Sequence, residues 1–118
     1  MKSDLTRRSY DFSLRLITFI SGLSDTRVSR VLADQLLRSG TSIGANVVEA
    51  KSASSRRDFT RYYEIALKSA NETKYWLGLV KEGLQIHGEE IDFLAAETNE
   101  LSRMIASSIL TLKDKRKF

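Results

Sequence analysis

Five polar residues have spacings that gather hydroxyl, amide and carboxylate groups. Ser42, Asn46 and Glu49 recur at i, i+4 and i+7, and Ser69 and Glu72 at i and i+3. On helices, each set lies along one face. A reactive site built from them would need a base, a thiol or a metal to converge on the serines. The chain has no cysteine, and its single histidine, His87, stands alone in a glycine-containing stretch. It carries no Glu-x-x-His pair of the kind that holds two irons in a bundle. The helical-ribonuclease pattern of Arg followed four to six residues later by His finds only Lys81 before His87. Neither a Gly-x-x-x-x-Gly-Lys phosphate loop nor a Gly-x-Ser-x-Gly elbow occurs. The five residues therefore read as a hydrogen-bonded cluster between two helices, fixing their register and satisfying groups that are costly to bury alone. No catalytic, cofactor-binding or metal-binding residue is expected, and the chain reads as a non-enzyme.

The second set that carries chemistry is basic. The formal charge of +4 is uneven. Between Lys51 and Arg61, the four bases Lys51, Arg56, Arg57 and Arg61 face only Asp58, a net of +3. From Lys113 to Phe118, Lys113, Lys115, Arg116 and Lys117 face only Asp114, again +3. Between Glu82 and Glu100 there are six acids and no lysine or arginine. Cations clustered this way neutralise phosphates and release counterions, which makes them candidate RNA- or DNA-binding residues. The neighbouring Tyr62 and Tyr63 can stack on unpaired bases. Two other readings stay open: basic helix ends also match the macrodipole while solvated, and both tyrosines fit core stripes.

Four helices must position these groups. The apolar residues Phe12, Leu16, Phe19, Ile20 and Leu23 predict a first helix over about 4–23, capped by Ser3 or Asp4. A second, over about 26–50 and capped by Ser24 or Asp25, carries Val28, Leu32, Leu36, Ile43, Val47 and Ala50. Gly40 and Gly44 in its interior each cost about 1 kcal/mol relative to alanine, which points to a close approach by another helix. Ser55 and Asp58 imitate a capping box for a third helix over about 55–83. Its seam, Phe59, Tyr63, Ala66, Ala70, Thr73, Leu77, Val80 and Leu84, alternates fours and threes. A parallel stripe, Tyr62, Ile65, Ser69, Trp76 and Leu79, places this helix centrally or against another subunit. A fourth helix over about 89–114 follows Gly83 and Gly88, with Ile91, Leu94, Thr98, Leu101, Ile105, Ser108 and Leu112 inward.

Short turns between helices of this length give an all-α, up-down-up-down antiparallel four-helix bundle, a single domain over 1–118. That topology puts both basic clusters at one end and the acidic start of the fourth helix towards the other. The two poles permit head-to-tail contacts that close into a ring. No apolar run approaches the roughly 20 residues of a membrane span, and the basic N-terminal stretch lacks an apolar signal core. The expected setting is cytoplasmic, with no membrane partner. The absence of proline leaves long helices unbroken.

The order Ser42-Ile43, Asn46-Val47, Glu49, Arg56, Phe59, Ala66, Ser69, Glu72, Leu77 resembles the four-helix-bundle proteins encoded within intervening sequences of bacterial 23S ribosomal RNA genes. That family is similar to the accessory subunit of diversity-generating retroelements. The resemblance covers roughly Tyr10 to Leu112. It implies a homopentamer, and its retroelement branch implies a basic surface that binds nucleic acid and a reverse transcriptase. Two partner readings follow: RNA or DNA, or a protein scaffold such as a reverse-transcriptase accessory subunit. Ala50 stands where the family often has Gly after Glu, and Lys68 where Gly commonly precedes Ser69.

Overall fold

A computed structural model describes residues 2–116 as four helices and, among those residues, no strand. They are α1 (Lys2–Ser21), α2 (Arg27–Ala50), α3 (Arg56–Gly83) and α4 (Glu89–Arg116). Each packs on its neighbours in a closed square: α1 on α2 and α4, α3 on α2 and α4. The result is a rod of 52 × 22 × 20 Å. Among the described residues, no helix is long and apolar enough to cross a membrane.

The caps explain where the helices begin. Thr26, rather than Ser24 or Asp25, caps α2, its side chain accepting from the Ser29 amide at 3.1 Å. Ser55 caps α3 as expected, accepting from the Asp58 amide at 3.0 Å. α1 begins at Lys2, so Ser3 and Asp4 lie within its first turn instead of preceding it. α3 ends in a Schellman-type turn, the Ile86 amide reaching back to the Lys81 carbonyl at 3.0 Å. The left-handed position of that turn falls on Gln85, and the second positive φ of the connection falls on Gly88.

The core runs the length of the rod through Phe12, Leu16, Leu36, Ile43, Leu94, Leu101 and Ile105, all essentially inaccessible. The predicted seam of α3 is buried from Tyr63 to Val80, with Phe59 and Leu84 half-buried at its ends. One position of α2 departs from the expected stripe: Val28 is exposed and Ser29 is buried. At about 100° per residue, Ser29 lies two turns before Leu36 to within about 20°, while Val28 is about 80° off that line. The glycines of α2 do admit another helix. A β-carbon at Gly40 would collide with the Leu16 side chain, and one at Gly44 would meet the Ser9 hydroxyl and carbonyl at 3.2 and 3.3 Å.

Candidate nucleic-acid interface

Helices α2 and α3 run antiparallel about the turn capped by Ser55, so residues that face each other recede from it together. Ser69 Oγ donates to Ser42 Oγ at 2.9 Å, and one turn further out Thr73 Oγ1 donates to Ser39 Oγ at 3.0 Å. Asn46 Nδ2 donates to the Ser42 hydroxyl at 3.0 Å and to its carbonyl at 2.8 Å. Beyond the hydroxyl pairs, Arg38 bonds the Glu72 carboxylate, which also accepts from Trp76 Nε1 at 2.9 Å. Those two bonds, Trp76 first, hold the Glu72 carboxyl below its ordinary value. Ser42, Asn46, Ser69 and Glu72 thus lie along one interhelical seam. Glu49 points to solvent and makes no side-chain hydrogen bond among the described residues. The seam holds donors matched to acceptors. It contains neither an activated nucleophile nor, among the described residues, a cluster able to hold a metal ion.

The basic residues converge elsewhere. Lys51 is the C-cap of α2, while Arg56 and Arg57 open α3, all exposed. None of the three has a carboxylate partner within ion-pair distance among the described residues. Arg61, one turn on, shares Asp58 at 3.3 Å and lies over the Tyr62 ring, 5.5 Å from its centroid. Lys113 pairs with Glu64 of α3 at 3.3 Å, which brings the last turn of α4 alongside the first turns of α3. Lys117 lies outside the described residues, as do the side chains of Lys115 and Arg116.

The two predicted aromatic neighbours differ. Tyr62 is half-buried beside Arg61; Tyr63 is buried, its ring 4.7 Å from that of Phe59, and burial pushes its phenol pKa up. The same end of the rod encloses an open cavity of about 760 Å³, walled by the α2–α3 turn, the start of α1, the start of α3 and the last turns of α4.

At the opposite end the acids are largely consumed within the chain. Glu90 pairs with Arg15 at 2.8 Å, Glu97 with Arg8 at 2.7 Å, and Asp92 with Lys81 at 3.0 Å. Arg15 holds the Glu90 carboxyl below its ordinary value and rests on the Phe93 ring. The bundle is therefore more strongly polarised at its basic end. On its flank, α1 leaves Tyr10, Leu14 and Ile17 at 56%, 46% and 46% exposure, one above another at i, i+4 and i+7.

The model of the 23S rRNA-intervening sequence protein family matches residues 1–107. Among solved structures, the chain resembles a protein of unknown function from the S23 ribosomal protein family of Bacteroides thetaiotaomicron. The two share 38% identity and a TM-score of 0.82, covering 89% of this chain and 97% of the other. None of the curated proteins matches the chain significantly.

Proposed function

The chain belongs to the 23S rRNA-intervening sequence protein family, and we propose that within it this protein is a non-enzymatic oligomer that binds RNA or DNA through the basic end of its bundle. The observation that carries this reading is the trio Lys51, Arg56 and Arg57. These cations stand together at one interhelical turn and, among the described residues, have no carboxylate partner, while most charges elsewhere are paired. A cation without an internal partner is the kind that gains most from a phosphate. Arg61, beside Tyr62, adds a fourth charge and a ring for stacking. The chemistry asked of the protein is electrostatic capture in the cytoplasm, with no bond made or broken.

Replacing Arg56, Arg57 and Arg61 together by glutamine tests this. By fluorescence polarisation across a salt series, affinity for RNA should fall. The slope of log K against log salt should flatten by about 2, since each single-strand phosphate left without its cation accounts for roughly 0.7. Unchanged affinity with an intact helical circular-dichroism spectrum overturns the assignment.

The exposed row Tyr10, Leu14 and Ile17 favours a second reading in which the bundle holds protein, as a homopentamer or as the accessory subunit of a reverse transcriptase. Genomic surroundings separate the two. An enclosing 23S rRNA gene favours RNA, and an adjacent reverse transcriptase with a template repeat favours the protein partner.

A further inference from the structure

The cavity at the basic end combines features that neither a solvated helix end nor a core defect requires. Its volume, about 760 Å³, lies in the range of small-molecule sites. At its rim α3 begins, and the amides of Arg56 and Arg57 have no backbone acceptor among the described residues. These are orphan donors at the positive end of a 28-residue helix. Lys51 and Arg56, both without a carboxylate partner among the described residues, line the same opening. Deeper in, the half-exposed Phe59 ring is backed by Tyr63. Opposite it lie hydroxyls of α4, Ser107 and Thr111. Thr6 of α1 stands in the same wall, its Oγ1 enclosed by the protein and without a hydrogen-bond partner among the described residues.

Cations and free helix amides beside an aromatic face, in a cavity of this size that also carries hydroxyls, describe one chemical class. We propose that this cavity holds a phosphorylated nucleotide, its phosphate on the α3 amides with Lys51 and Arg56, and its base against Phe59. The inference rests on the nucleic-acid reading above and deepens it. Lined from all four helices and open to solvent on one side, the cavity admits the end of a strand or a lone nucleotide. The same chemistry is offered by the phosphorylated end of a single strand and by a free nucleotide.

The test is polarisation binding of ten-nucleotide RNAs of one sequence, bearing a 5′-phosphate, a 3′-phosphate or neither, at fixed salt. A phosphorylated end should bind about tenfold more tightly, the order expected of charge-assisted bonds. Ser107→Trp, from an exposed position on α4 that lines the cavity, puts a large ring into it without changing any charge. It should abolish the preference for a phosphorylated end while leaving the salt slope intact. The pair Lys51→Gln and Arg56→Gln should reduce the preference by removing charge without adding bulk to the cavity, which keeps the test informative if the tryptophan variant fails to fold. Competition with adenosine monophosphate assigns the source. Displacement only at large excess supports a strand end, and displacement at matched concentration supports a free nucleotide. Equal binding of all three RNAs without displacement overturns the proposal, as does an undiminished preference in a folded Ser107→Trp protein. In those cases salt-dependent binding of longer RNA would leave the broader reading standing; its loss as well would remove both.

Discussion

Trp76 is the single tryptophan, and its indole N–H ends on Glu72, so its emission reports that carboxylate directly. The folded-state pKa of Glu72 is depressed, so the stability it contributes is present above the unfolded value and lost as pH falls through the folded one. Exposure of both Arg38 and Glu72 by more than a third keeps that contribution small. The optical signal need not be small. On acidification, Trp76 fluorescence should change with a midpoint below the ordinary 4.5, and Arg38→Gln should move that midpoint upward. An unchanged midpoint in the variant would show that arginine does not hold the charge. Two glycines make a second residue-scale contrast. A β-carbon at Gly78 meets nothing within 4 Å, so Gly78→Ala should raise stability by about 1 kcal/mol, seen as a melting temperature higher by roughly 4 °C. Gly40→Ala makes the same propensity gain yet drives a methyl into the buried Leu16, and should lower stability by about 1 kcal/mol or more. Of these features, the sequence displays the glycines but not their difference in sign, which depends on what stands opposite. It also displays Arg38 and Glu72 without showing that they meet. The clue is that both lie equally far from Ser55, and the turn must be placed before that symmetry means anything.

At the scale of the element, the inward stripes of α3 and α4 are legible because a repeat of threes and fours survives small errors in where a helix starts. The N-terminal part of α2 is less legible. Its apolar Val28 lies about 80° from the stripe and is replaced inside by Ser29, a residue whose polarity argues the other way. α1 carries apolar residues on two faces. Phe12 and Leu16 enter the core, whereas Tyr10, Leu14 and Ile17 face away from it. An outward row of this kind fits contact with another subunit better than exposure to water. Replacing Leu14 and Ile17 with glutamine should leave the melting temperature of the bundle nearly unchanged and reduce the mass measured by light scattering. A mass unaffected by the pair would place any assembly surface on another helix.

For the whole molecule, the placement of Lys113 beside the first turns of α3 follows from counting turns, since alternating helices return every second junction to the same side. The internal pairing of the acids does not follow from counting, because Arg8 and Arg15 reach Glu97 and Glu90 across the length of the chain. The cavity is likewise invisible in the sequence. Its lining draws on the α2–α3 turn and on α1, α3 and α4 together, with the small residues Ala50, Ala53, Ser54 and Ser107 among them. The polar seam is legible in its types and in most of its members, with Glu49 turned outward by its place on the exposed side of α2.

The closed square has a kinetic side as well. α2, α3 and α4 each follow and pack against the helix before them, so they assemble through contacts between sequence neighbours. The joint between α1 and α4 closes a far longer loop, its ion pairs linking residues 89 and 75 positions apart. Those pairs should form late in refolding and open first in the native state. In hydrogen exchange, the amides of α1 should be released as one cooperative unit at lower free energy than those of α3, and Arg8→Gln should speed that release while α3 keeps its protection.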